Sequence, residues 1–264
     1  MQVLKMSAST GWRWVADGFR LLRRQPLGLL VSVFLFLIVL TLPAVAVPRI
    51  GGFLPFVLTP LLSFGLMSVF RVADRGQPPR PGLLFSGFRE ADGTAWKPLL
   101  LLGAFNALAT LLVLTLTTAM DGGTLMRIVT GTIDSDDPSL QDPSLAVAAT
   151  VFLVVYAPLQ MALWYAPMFV AWHGAPVLRS LFFSFVAVWR NKGAFGAFVV
   201  GWVAVAFAVS SCAQLLQGAL GEQSVLASLV LSPLSLAMLT ALYGSIWATY
   251  RDPIRDEGTA PGAP

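Results

Sequence analysis

The sequence predicts an all-α polytopic membrane protein with six transmembrane helices. Three observations carry this expectation. The 264 residues are 56% hydrophobic and only 11% charged, whereas a soluble domain carries about a quarter charged residues. The apolar residues gather into six stretches that contain no Asp, Glu, Lys, Arg or His. Each stretch reaches the about 20 residues that a helix needs to cross a hydrocarbon core about 30 Å thick. Little chain is left over, so a single membrane domain spanning 1–264 is expected.

The stretches run in order from Leu27 to Val47, Ile50 to Phe70, Leu99 to Ala119, Ala146 to Ala171, Ala194 to Leu216 and Val225 to Ala248. The first follows a basic segment and ends near Ala44-Val45-Ala46, which resembles a signal-cleavage sequence. Its apolar run is longer than a signal core, so it is expected to be retained. Pro55 and Pro60 fall in the second stretch, Pro158 and Pro167 in the fourth and Pro233 in the sixth. Proline removes a backbone donor and bends a helix, so these alternate spans are expected to be kinked. Asp142-Pro143 has the form of a helix N-cap followed by Pro at the first position, which starts span four.

Charge orients the chain. Of 17 Lys and Arg, fifteen fall in segments on one side of the six spans, and only Arg49 and Arg127 fall on the other. Cytoplasmic loops carry the basic excess, so both termini are expected in the cytoplasm. Asp121, Asp134, Asp136, Asp137, Asp142 and Glu222 lie on the outer side. The formal net charge of +4 thus divides into about +8 inside and −4 outside. Basic residues beside a span attract anionic lipid by about 1 kcal/mol each, which makes lipid headgroups the expected partner and nucleic acid an unexpected one. Trp12, Trp14, Trp96, Trp172, Trp189 and Trp247 fall near the basic boundary, where indole is favoured. Trp164 and Trp202 are expected to pack between helices.

Gly11 to Arg24 reads GWRWVADGFRLLRR. Trp12, Val15, Phe19 and Leu22 recur at helical spacing, with Arg13, Asp17, Arg20 and Arg24 opposite. This is the pattern of an amphipathic helix lying in the membrane interface. Leu83 to Arg89 before Trp96-Lys97, and Leu181 to Phe185 before Trp189-Arg190-Asn191-Lys192, repeat the pattern of aromatic segment, basic residues and span. Three parallel units are expected, each an interfacial helix plus a helical hairpin, over 11–70, 82–171 and 176–248. Residues 249–264 are expected to form a disordered cytoplasmic tail.

The chemistry available is sparse. No ionisable group lies at membrane depth, which counts against an ion-coupled pump. The intramembrane polar groups are Asn106, Gln160, Gln214 and Ser63, with Gln217 at the outer edge. Interhelical hydrogen bonding is their default role. Asn106, Gln160 and Gln214 are the candidates for a polar cavity. No Gly-x-Ser-x-Gly, His-Glu-x-x-His or phosphate-binding glycine loop occurs, so no catalytic residue, metal ligand or cofactor is expected. His173 is alone. Cys212 is expected as a small packing residue. The aspartates of the outer loop lack EF-hand spacing and are expected to be solvated. Arg13, Arg20, Arg23, Arg24, Trp172 and His173 are the candidates for lipid-headgroup contact.

Taken together, Gly11-Trp12 through Asp17-Gly18-Phe19 to Arg23-Arg24-Gln25-Pro26, Tyr165-Ala166-Pro167 to Ala171-Trp172-His173-Gly174, and Leu181-Phe182-Phe183-Ser184-Phe185 with Arg190-Asn191 resemble an uncharacterised family of six-span proteobacterial inner-membrane proteins. The resemblance covers about residues 11–250. It implies an inner-membrane location and no catalytic residues to carry over. The expected role is non-enzymatic, exercised through lipid headgroups or a membrane-protein partner. The alternative is a small-solute transporter or permease.

Overall fold

A computed structural model describes residues 2–47, 51–134, 136–221 and 225–255. Arg49 and Glu222, which enter the charge count, and tail residues 256–264 lie outside them. The described residues form eleven α-helices: α1 (Ser9–Arg24), α2 (Pro26–Ala46), α3 (Leu54–Asp74), α4 (Glu90–Gly93), α5 (Trp96–Asp121), α6 (Thr124–Thr130), α7 (Pro143–Leu163), α8 (Ala166–His173), α9 (Val177–Arg190), α10 (Lys192–Leu220) and α11 (Val225–Arg251). Six segments are long and apolar enough to span a membrane: Pro26–Pro43, Gly51–Asp74, Trp96–Asp121, Pro143–His173, Lys192–Gly218 and Val225–Arg251. These are the six expected spans.

The segments that precede the odd-numbered spans are all helical but differ in form. The first and third are the regular helices α1 and α9. The second is a 3-10 helix, Pro81–Phe88, broken at Phe85 and followed by the single turn α4. Order also extends further than expected at the C-terminus. Thr249 and Tyr250 are buried in the last turn of α11. Ile254 pairs with Val3 in a two-residue antiparallel bridge, β1 (Gln2–Val3) to β2 (Ile254–Arg255). Residues 249–255 are therefore not part of a disordered tail.

The chain divides into two compact units built from interleaved segments. One comprises Met1–Leu35, Leu66–Leu83 and Ala187–Pro264, the other Phe36–Gly65 and Leu84–Val186. In the second unit, Leu61 and Phe64 of α3, Leu99 and Leu102 of α5, Ala166 and Val170 of α8 and Leu181 of α9 form one core. Small residues let its backbones approach closely. A Cβ at Gly103 would lie 1.8 Å from the carbonyl oxygen of Val57, and one at Gly65 would lie 1.8 Å from that of Leu84.

Asn106 explains how α3 tolerates its internal proline. Pro60 has no N–H, which leaves the carbonyl of Phe56, four residues earlier, without its helical partner. The Nδ2 of Asn106, on α5, donates to that carbonyl at 3.0 Å. Asn106 is 4% exposed, and its Oδ1 has no hydrogen-bond partner among the described residues. Replacing Asn106→Leu is expected to cost about 1 kcal/mol. In a Pro60→Ala background the restored N–H can supply the carbonyl, and the cost shrinks. A double-mutant cycle by detergent unfolding checks this; equal losses in both backgrounds would refute it.

Span four divides into α7 and α8 at Trp164-Tyr165, just ahead of Pro167, while α3 and α11 run on through Pro60 and Pro233. Ser184 of α9 closes the break. Its hydroxyl accepts from the N–H of Tyr165 at 2.9 Å and donates to the carbonyl of Met161 at 2.8 Å. These are the two groups that an uninterrupted helix would have joined to each other. Ser184→Ala removes both hydrogen bonds, at about 1 kcal/mol each. The expected result is amide exchange at Tyr165 at least ten times faster, with the distant amides of α11 unchanged.

The loops at the α5 and α7 ends are built by capping. Asp121 accepts from the N–H groups of Gly123 and Leu125 and starts α6. Asp142 accepts from the N–H of Ser144 at 2.8 Å, with Pro143 at the first helical position, as the sequence led us to expect. Asp137 is not merely solvated. It takes the Ser139 hydroxyl and N–H and pairs with Arg127 at 2.8 Å. The Ser139 bonds, and then Arg127, hold its carboxyl below the ordinary 3.8. A depressed carboxylate stabilises the fold above its unfolded value and loses that contribution as pH falls through the lower folded value. Exchange protection at the Ser139 N–H is expected to hold at neutral pH and to fall once the pH drops below 3.8.

Candidate functional site

The first unit is organised around α1, and its packing revises which face of that amphipathic helix is buried. The residues of α1 that are buried are Thr10, Gly11, Trp14, Val15, Asp17, Gly18 and Leu21, whereas Trp12 is 51% exposed. Glycines decide this. A Cβ on Gly11 would sit 2.2 Å from the carbonyl oxygen of Ala194 in α10, and one on Gly18 would sit 2.1 Å from that of Ala241 in α11. The helix therefore lies directly against both backbones; of the apolar stripe read from large side chains, Val15 is buried in the contact, while Trp12 is exposed and Phe19 and Leu22 are half-buried at its rim. Trp14, expected at the headgroup level, is fully buried. Its ring meets Phe195 and Phe198 edge-on.

Asp17, placed on the polar face by the sequence pattern, is buried for the same reason, and its charge is met. Arg251, at the end of α11, donates from Nη2 to Asp17 at 2.6 Å, from Nε to Asp252 at 2.8 Å and from Nη1 to Asp74 at 3.3 Å. The indole N–H of Trp14 donates to Asp252 at 2.9 Å, and that of Trp247 donates to Asp74 at 3.1 Å. Arg20 also pairs with Asp17. One guanidinium thus ties α1, α3 and α11 together from three separate nitrogens, where a lysine has one.

Asn191 forms a second tie. Its side-chain amide accepts from the N–H of Met6 at 2.7 Å and donates to the carbonyl of Leu4 at 3.1 Å. It holds the segment that leads from β1 into α1. Gln25, which ends α1, donates to the carbonyl of Gln77 at 2.9 Å. Asp17-Gly18-Phe19, Gln25-Pro26 and Asn191 therefore serve one purpose, the docking of α1. Tyr165-Ala166-Pro167 and the Ser184 segment likewise serve one break in span four.

With Asp17 engaged by Arg251, the outward face of α1 is strongly basic. Arg13, Arg20, Arg23 and Arg24 are all exposed. Arg13 donates to the Thr10 hydroxyl at 3.0 Å. No carboxylate among the described residues pairs with Arg23 or Arg24, which lie in the last turn, where the helix dipole favours cations. Ala16, Phe19, Arg20, Arg23 and Arg24 line an open concavity of about 730 Å³. A second, apolar slot of about 310 Å³ separates α10 from α11, lined by Trp202, Ala206, Val209, Ser210, Ser235 and Leu239 among others. Phe19 stacks on Trp202 with ring centroids 5.7 Å apart, so this pair borders both spaces. Trp202 is fixed in turn by donating to the Ser245 hydroxyl at 3.0 Å.

The remaining candidates lie elsewhere. Trp172 packs edge-on against Phe64 at 5.3 Å, and His173 lies 6.0 Å from Phe169, just before Gly174 turns the chain in the left-handed region. Asn106 is occupied by Phe56, Gln160 is half-buried, and Gln214 is exposed on α10. None of these three lines the slot between α10 and α11. Cys212, expected as a packing residue, is exposed, because the packed part of α10 is its first half, against α1.

Six apolar spanning helices with charge and indole gathered at their ends define a polytopic integral membrane protein. The chain is 37% identical over 253 residues to a "Probable inner membrane protein" of Burkholderia thailandensis, covering 95% of this chain and 93% of that one, and it belongs to that protein's family of inner-membrane proteins. No family model matches it, and no solved structure does.

Proposed function

We propose that this inner-membrane protein acts without catalysis, by holding anionic lipid against the basic face of α1, with both termini in the cytoplasm. The observation that carries the proposal is the division of labour on α1. Its buried face, including Asp17, is consumed by docking, while Arg13, Arg20, Arg23 and Arg24 stay exposed. The distribution of Lys and Arg along the sequence supports the orientation, and the cytoplasmic leaflet supplies the anionic lipid. The transporter alternative has less support, since the Asn106 amide N–H donates to the Phe56 carbonyl.

Native mass spectrometry of the chain released from its own membrane tests this. Stoichiometric anionic lipid is expected on the parent protein. It should be lost when Arg13, Arg20, Arg23 and Arg24 become Gln. Lipid retention indifferent to those substitutions, or a bound small solute in place of lipid, would overturn the proposal.

A further inference from the structure

We propose that the first unit holds one anionic phospholipid across the Phe19–Trp202 pair, with its phosphate among Arg20, Arg23 and Arg24 and an acyl chain in the slot between α10 and α11. The inference deepens the lipid-contact proposal and rests on it. Three features of the structure converge. The concavity beside α1 is lined by three arginines, Arg20 paired with Asp17 and Arg23 and Arg24 with no carboxylate partner among the described residues, and their planar forks suit phosphate. The slot is apolar except for Ser210 and Ser235, and its about 310 Å³ falls at the lower end of the about 300–1,000 Å³ usual for small-molecule sites. The two spaces share a rigid aromatic border, Phe19 stacked on Trp202. Gly18 against Ala241 and the bond from Trp202 to Ser245 hold that border in place.

The depth fits as well. At 1.5 Å per residue, Trp202 to Ser210 lie about 15–27 Å from the start of α10, in the middle of a helix about 43 Å long. A slot at that depth meets acyl chains and not headgroups. Charge complementarity selects an anionic lipid over a zwitterionic one, since Arg23 and Arg24 have no carboxylate partner among the described residues.

The test uses the full chain in phosphatidylcholine nanodiscs containing a minor fraction of phosphatidylglycerol with a photoreactive diazirine on its acyl chain. Cross-links are expected to concentrate on peptides carrying Val205–Ser210 and Ser235–Leu242. Ala206→Phe, at an exposed position, fills the slot and should lower the yield about tenfold, the loss of roughly two buried methylenes. Arg23→Gln with Arg24→Gln should lower it about 30-fold. If Ala206→Phe leaves the yield unchanged while the arginine variants still release anionic lipid, the slot is refuted and the lipid-contact proposal stands. If neither variant has an effect, both fall. If Ala206→Phe converts a multimer into a monomer, the slot belongs to a second copy of the chain and the proposal is overturned.

Discussion

Arg251→Met should destabilise the protein by about 2–3 kcal/mol, the largest loss expected from a single side chain. Removing one partner of a buried ion pair costs about 3–5 kcal/mol, because the other charge stays behind. Arg251 is one-third exposed, so water recovers part of that. Three carboxylates remain behind here, Asp17, Asp74 and Asp252, and they repel one another. Arg251→Lys should rescue little, since the three carboxylates meet three different guanidinium nitrogens at 2.6–3.3 Å and an ammonium offers one nitrogen. Asp74→Asn added to Arg251→Met should recover part of the loss, because it removes one uncompensated charge. Unfolding in mixed detergent checks the series. A lysine variant as stable as the parent would show that net charge alone matters and that the directional donors do not.

Gly18→Ala should cost about 1–3 kcal/mol, the range for an overpacked core. The added Cβ meets the carbonyl oxygen of Ala241 at 2.1 Å and the N–H nitrogen of Ser245 at 2.8 Å. Both are backbone atoms and cannot turn aside, so α1 has to lift from α11. The lift also pulls Asp17 from Arg251 and Phe19 from Trp202. Gly196→Ala is the control. It lies on α10 with nothing within 4 Å of its built Cβ, and Ala in a helix is favoured over Gly by about 0.5–1 kcal/mol. The two substitutions should move stability in opposite directions. Equal effects would mean that α1 does not touch α11 at Gly18.

The six spans were legible because hydropathy over about 20 residues is a local property. The amphipathic nature of α1 was legible too, but its docked face was not. The helical stripe Trp12, Val15, Phe19 and Leu22 marks the large apolar residues, whereas the close contact is made by Gly11 and Gly18, which carry no hydropathy signal. The same blindness hid the partners of buried polar groups. Arg251 lies 234 residues from Asp17, and Asn106 lies 50 from Phe56. One signal was available. Pro60 leaves a defined carbonyl needing a donor inside the membrane, and Asn106 was among the few intramembrane side chains able to give one. Likewise the break before Pro167 called for a hydroxyl, and Ser184 was the polar residue of an otherwise apolar segment.

Docking of α1 on α10 and α11 holds the first unit together. Disulfide formation between Val15→Cys and Gly201→Cys, in a Cys212→Ser background and in native membranes, tests it most directly. A Cβ built at Gly201 comes within 3.0 Å of Val15 Cγ2, which places the two β-carbons near the separation of about 3.5–4.5 Å that a disulfide requires. Rapid, nearly complete cross-linking within one chain under mild oxidation is the expected result. Thiols that remain free and open to alkylation would contradict the docked helix, and with it the lipid site built upon it.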